Sequence, residues 1–189
     1  MENYDVIVIG GGHAGCEAAH ASASIGAKTL LITMKTNSIG QLSCNPAVGG
    51  IGKSHLAREV DAFDGLISKV TDNSALQRRK LNLSKGPAVQ ATRIQTCRVA
   101  YKKYMQKELG TCPNLEVFEG QVVSLVLNNT RIIGVKLSDG SEIFAKTFIL
   151  TAGTFLGGRI HIGQKSFPAG RVGDKSSNEL EAFFKDNGY

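Results

Sequence analysis

The strongest constraint in this sequence lies within its first fifteen residues. Tyr4 to Ile9 carries Val6-Ile7-Val8-Ile9 without a polar break, the texture of a short strand covered on both faces in a parallel sheet. It runs directly into Gly10-x-Gly12-x-x-Gly15. An alanine-rich segment from about Ala14 to Ile25 reads as a helix, and Gly26 ends it. Lys28 to Thr33 is a second apolar run. Strand, glycine turn, helix and strand make one βαβ unit over 4–33. In that setting the glycine triplet points to a bound dinucleotide. Gly10 permits a tight turn, Gly12 lets a pyrophosphate approach the backbone, and Gly15 lets the helix pack close to the sheet. The amides of the helix N-terminus then face the phosphates, with the helix dipole behind them.

The second strand of such a unit normally ends in an acid that holds ribose hydroxyls. Here the place falls at Thr33, followed by Met34 and Lys35. A threonine hydroxyl still bonds a ribose, less strongly than a carboxylate, and Lys35 admits a phosphorylated ribose. Further on, Leu115–Glu119, Gln121–Asn128, Arg131–Leu137 and Glu142–Phe144 are short strand-like runs punctuated by turn residues, a β-meander over 115–144. Thr147–Leu150 is one more buried strand, entering Thr151-Ala152-Gly153. A meander followed by this strand (147–154) resembles the second fingerprint of two-dinucleotide-binding flavoproteins, which favours FAD over NAD. The fold class read here is α/β, an FAD/NAD(P)-binding Rossmann-like domain with an inserted meander. Between these parts, 37–53 reads as a cysteine- and glycine-rich loop. Ser54 to Ile67 and Ala91 to Leu109 read as helices, the second inside a basic helical segment over 78–109.

The net charge of +6 is local in origin. Arg78, Arg79, Lys80, Lys85, Arg93, Arg98, Lys102, Lys103 and Lys107 occur without an acid among them. Such a run follows a phosphate backbone or forms a solvated helix face. No apolar run approaches the roughly 20 residues of a membrane span, and the first strand begins close to Met1. The expectation is a cytoplasmic protein with no membrane association. Cys16, Cys44, Cys97 and Cys112 have no paired metal spacing, and His13, His20, His55 and His161 are scattered, so no metal site is expected.

Ala47-Val48-Gly49-Gly50-Ile51-Gly52-Lys53-Ser54 falls short of a phosphate-binding P-loop. The pattern opens with glycine, here Ala47, and Cys44-Asn45-Pro46 precedes it in place of an apolar strand. Cys44 sits in this polar loop with Lys53 and His55 downstream. A thiol near cations and free amides ionises readily and is nucleophilic; the alternative is a small buried cysteine. Cys16, on an alanine-rich helix, reads as core.

Gly10-Gly11-Gly12-His13-Ala14-Gly15-Cys16-Glu17-Ala18-Ala19 resembles the opening of the tRNA uridine 5-carboxymethylaminomethyl modification family, MnmG or GidA. Ile39 to Lys53 resembles its most distinctive stretch. Ser84-Lys85-Gly86-Pro87-Ala88-Val89, Thr151 to Leu156 and Gly170-Arg171-Val172-Gly173-Asp174 match in order. The resemblance implies an FAD enzyme that takes hydride from NADH and a carbon from methylenetetrahydrofolate. With an MnmE-type GTPase it builds an aminomethyl-type group on C5 of the wobble uridine of certain tRNAs, as a homodimer within a heterotetramer. It implies that Gly10, Gly11, Gly12, His13, Ala14 and Gly15 hold the FAD pyrophosphate, that Val122 and Ser177 are further FAD contacts, and that Cys44 is catalytic. Members of the family are much longer than 189 residues, so the chain reads as an N-terminal piece, inactive alone. Cys97 stands in Arg93-x-Gln95-x-x-Arg98 where an acid is expected. The residues leave two other classes open: an oxidoreductase of a small metabolite, and a nucleotide-binding fragment without activity.

Overall fold

A computed structural model describes residues 4–174 and 176–188. In chain order the elements begin β1 (Tyr4–Ile9), α1 (His13–Ser24), β2 (Thr29–Thr33), β3 (Ala47–Gly49), α2 (Lys53–Asp61), α3 (Leu66–Ser74), β4 (Ala75–Leu81), β5 (Ala91–Thr96) and α4 (Arg98–Gly110). They continue β6 (Leu115–Glu119), β7 (Val122–Asn128), β8 (Arg131–Leu137), β9 (Glu142–Leu150), β10 (Arg159–Ile162), β11 (Lys165–Pro168) and α5 (Asn178–Asp186). The chain divides into two compact units, one of Met1–Thr36 with Asn114–Tyr189, the other of Asn37–Pro113.

The first unit is built on a six-stranded sheet in the order β6-β2-β1-β9-β8-β7. The four strands from β6 to β9 are mutually parallel neighbours. Every residue of β2 is buried, as are Ile7, Val8 and Ile9. Burying each such aliphatic side chain contributes roughly 1.5–3 kcal/mol. Helix α1 buries Gly15, Cys16, Ala19 and Ala23, small residues that let it lie close on the strands. A second cluster joins Ile7, Ile9, Leu30 and Ile32 to Val122, Leu125, Val135 and Leu137 of the meander and to Leu180 of α5.

Two readings of this unit are corrected. Leu115–Glu119 is not part of the meander. It pairs in parallel with β2, Leu115 opposite Thr29 and Glu119 opposite Thr33. As the sheet's edge strand it exposes Glu116, Phe118 and Glu119, so its pattern imitates an antiparallel strand. Glu142–Phe144 and Thr147–Leu150 are one strand, β9. Its first half pairs antiparallel with β8 and its second half parallel with β1. The antiparallel hairpin β10–β11 had no counterpart in the sequence reading.

The second unit holds a three-stranded antiparallel sheet, β3-β5-β4. The 78–109 segment is therefore not helical throughout: β4 and β5 precede α4. Thr92, Ile94 and Thr96 alternate along β5, β-branched residues that suit a pleated surface. The helix expected over Ser54–Ile67 is two helices, broken where Asp64 takes φ +62. Gly65 follows because a side chain there would meet Val60 at 2.5 Å. Within the 37–53 loop, β3 pairs with β5, Val48 opposite Ile94.

Candidate functional site

The carboxyl ends of β6, β2, β1 and β9 lie side by side in the first unit. Strand β1 sits where the connection reverses, with β2 on one side and β9 on the other, the place where an open α/β sheet offers a crevice. The glycine turn follows β1 there. Gly10 donates its N–H to the Ile32 carbonyl at 2.8 Å and takes φ +108. A side chain at Gly10 would lie 2.7 Å from the Thr151 carbonyl oxygen, and one at Gly15 would lie 1.8 Å from the Gly10 carbonyl oxygen. These two glycines are required by the protein's own backbone. Gly12 differs: a methyl group there would meet no atom within 4 Å, and Gly12 is exposed beside exposed Ala14. Helix α1 opens on Gly12 with no side-chain cap and no acid in its first turn. An open N-terminus over an unfilled space is a cradle for an anion, and it fits a pyrophosphate.

Strand β9 closes the other side. Thr151 donates its amide to the Ile9 carbonyl at 2.9 Å. Its hydroxyl lies 3.0 Å from the Ile9 carbonyl and 2.9 Å from that of Gly10. The fingerprint turn is thus tied to Thr151-Ala152-Gly153 through Thr151, a positioning role that sequence spacing did not reveal.

Thr33 ends β2 and is buried, and its carbonyl accepts from Gly120 N–H at 2.9 Å. Lys35 pairs with Asp174 at 2.7 Å, so the cation that suggested a phosphorylated ribose is engaged by a carboxylate of the chain. Val122 opens β7 with its side chain in the core and stands opposite Leu137 in the β7–β8 register. Ser177 is buried at the start of α5, and its N–H donates to the Phe155 carbonyl at 2.7 Å. Cys16 is fully buried, its thiol 3.6 Å from the Gly11 carbonyl. Burial first, and Glu17 second, push that thiol up to about 12, so it is no nucleophile.

Cys44 belongs to the second unit. It is exposed, and its thiol makes no hydrogen bond among the described residues. Its carbonyl accepts from the Arg98 guanidinium, a cation the sequence reading did not connect to it. His55 directs Nδ1 to the Gly52 amide at 3.2 Å, closing the start of α2. The glycines downstream have local causes. A side chain at Gly49 would meet the Thr92 carbonyl oxygen at 2.1 Å, and Gly50 and Gly52 take positive φ in open space. Among the nine basic residues, Arg79 and Arg93 stand directly opposite across β4 and β5, and neither forms an ion pair among the described residues. Arg78 pairs with Asp72 at 2.7 Å. Among the described residues there is no cluster of three or more His, Cys, Asp or Glu able to hold a metal. No helix among them is long and apolar enough to cross a membrane.

The sheet, the crevice and the glycine cradle define a mixed α/β domain of the FAD-dependent, Rossmann-like oxidoreductase type. The family model described as glucose inhibited division protein A matches residues 5–189. Aquifex aeolicus GidA, in its form II crystal, is 42% identical with a TM-score of 0.94, over 99% of this chain and 31% of that one. The chain belongs to the GidA family, as the N-terminal portion of its pattern, and spans about a third of the Aquifex protein's length. A GidA-related protein from Thermus thermophilus is 20% identical at a TM-score of 0.73, over 99% of this chain and 69% of that one. PqsL of Pseudomonas aeruginosa, described as a probable FAD-dependent monooxygenase, is 17% identical at 0.56, over 78% and 42%. These last two share the fold.

Proposed function

We propose that this chain provides the FAD-binding crevice and the Cys44 loop of a tRNA-modifying flavoenzyme. In this reading a carboxymethylaminomethyl or related aminomethyl group is added at C5 of the wobble uridine of certain tRNAs, in the cytoplasm. Methylenetetrahydrofolate supplies the carbon and NADH the hydride. An MnmE-type GTPase is the partner, with a homodimer of the flavoprotein inside a heterotetramer. The observation that carries the reading is the family match across residues 5–189. The fit of the crevice supports the cofactor: the space beside Gly12 suits a pyrophosphate and the first turn of α1 is uncapped. When bound, FAD supplies two-electron redox chemistry. Gly10 to Gly15 bind its pyrophosphate, while Thr33, Val122 and Ser177 flank it.

The basic hairpin supports the nucleic-acid substrate. Two guanidinium groups directly opposite each other repel, and a phosphate between them removes that cost. Cys44 is the residue proposed to act on the uridine, as nucleophile or acid. The test places Cys44→Ser and, separately, Cys16→Ser at the gene and measures wobble-uridine nucleosides of cellular tRNA by mass spectrometry. Loss of most modification with Cys44→Ser, at normal protein level and flavin content, is the expected result. Normal modification with Cys44→Ser removes the catalytic role. Loss of flavin would make the residue structural.

A further inference from the structure

The acid that a dinucleotide fold places at the end of its second strand is missing here, because Thr33 holds that position. The neighbouring parallel strand ends in one. Glu119 stands opposite Thr33 in the β2–β6 register, and Gly120 N–H binds the Thr33 carbonyl at 2.9 Å. Neighbouring strands lie about 4.8 Å apart, and glutamate is one methylene longer than the aspartate often found at the usual position. Glu119 therefore stands beside Thr33 at the carboxyl end of the sheet. Its Oε2 accepts from Thr36 N–H at 2.8 Å and from Thr36 Oγ at 2.7 Å. Its Oε1 takes no hydrogen bond from the described residues.

We propose that Glu119 is the ribose carboxylate of this site, delivered from β6 instead of β2. Oε2 fixes the turn after β2, and Oε1 accepts the ribose hydroxyls of the adenosine half of the cofactor. This rests on the reading that the crevice binds FAD. The two bonds from Thr36 hold the Glu119 carboxyl below its ordinary 4.5, with Lys35 adding a smaller pull, so it is ionised at neutral pH. A hydroxyl bonded to an ionised carboxylate makes a strong contact. The same charge repels a 2′-phosphate, so the site selects an unphosphorylated ribose.

Calorimetric titration of this chain with ADP and with 2′,3′-dideoxy-ADP tests the assignment, with FAD uptake by the unsubstituted chain read from flavin fluorescence. The unsubstituted chain should prefer ADP by about tenfold, the worth of one charge-assisted hydrogen bond. Glu119→Ala should bind both nucleotides with the affinity of the dideoxy form. Glu119→Gln keeps one acceptor for Thr36 and puts an amide donor in place of the other oxygen. With the charge gone the preference should fall well below that of the unsubstituted chain, and this variant carries the test if Glu119→Ala fails to fold. Equal weakening of both nucleotides by the Glu119 variants would reduce the residue to a scaffold, and an intact preference would overturn the proposal with the FAD reading untouched. If the unsubstituted chain took up neither FAD nor ADP, the FAD reading itself would fall, and this assignment with it.

Discussion

In the sheet of the first unit, β2 is buried along its whole length. In the sheet of the second, β4 exposes five consecutive residues from Leu76 to Lys80. The first sheet is held by aliphatic burial on both faces, so its central strands are written as unbroken apolar runs. The second carries its cations on the strands themselves, Arg79 opposite Arg93, and its pattern is set by what it presents outward. Both units also use glycine where a backbone must pass close. Gly15 does so beneath the Gly10 carbonyl and Gly49 beneath the Thr92 carbonyl. Of the three fingerprint glycines, Gly12 alone has open space around it and an ordinary φ of −71°. Glycine by itself is therefore not evidence of a ligand; open space at Gly12 together with the uncapped start of α1 is what fits one.

The packed glycines carry the largest expected effects. Gly15→Ala should destabilise the first unit by about 3 kcal/mol, since the intruding carbon meets backbone that has little freedom to move. Gly49→Ala should cost the second unit about as much, combining a clash with a positive φ. Urea denaturation followed by circular dichroism measures both. A loss below roughly 0.5 kcal/mol at either position, the range of an ordinary surface substitution, would mean that the close approach does not hold in solution.

The two units also differ in their cysteines, Cys16 buried in the first and Cys44 exposed in the second. Cys16→Ser should cost roughly 1–2 kcal/mol, because it puts a hydroxyl in the buried place of a thiol. Cys44→Ser should change stability by less than about 0.5 kcal/mol. With a thiol reagent at mildly alkaline pH, Cys44 should label first and Cys16 last, as exposure and the raised Cys16 value require. Prompt labelling of Cys16 in the native protein would contradict its burial.

The remaining effects are smaller. Removing Arg79 should lower the slope of log K for tRNA against log salt by roughly 0.7–0.9, and Arg93→Ala should do the same. An unchanged slope would return the hairpin to a solvated surface. Glu119 titrates below its ordinary value in the folded chain. Its bonds to Thr36 therefore contribute stability above about pH 4.5, and that contribution is lost as pH falls through the lower folded value. The Thr36 amide resonance should shift in that acid window. A shift centred above pH 4.5 would mean that the bonds do not form.

The sequence showed some of these elements plainly and hid others for physical reasons. Tyr4–Ile9, the glycine turn and the apolar run of β2 were legible because a strand covered on both faces tolerates no polar break. Ala91–Thr96 reads as helix because α4 begins only one residue after it, and the two run together as a single polar segment. Strand β6 was assigned to the meander because its pairing with β2 spans more than eighty residues of chain, which no local pattern reports. For the same reason Glu119 and Thr151 escaped the site reading. Each acts on a residue far away in sequence, Thr36 and Gly10 respectively. Gly10, Gly12 and Gly15 were found from spacing, but only the structure separates the two that pack from the one that faces open space.

That separation is tested most directly by Gly12→Ala, with Gly15→Ala beside it. If the space next to Gly12 is where the pyrophosphate lies, the Gly12 variant should keep its unfolding free energy in urea within about 1 kcal/mol of the unsubstituted chain, since its φ suits alanine. FAD affinity, measured by quenching of flavin fluorescence, should fall by about a hundredfold, or roughly 2.8 kcal/mol. An unchanged FAD affinity in a folded Gly12→Ala chain would contradict the placement of the cofactor in this crevice.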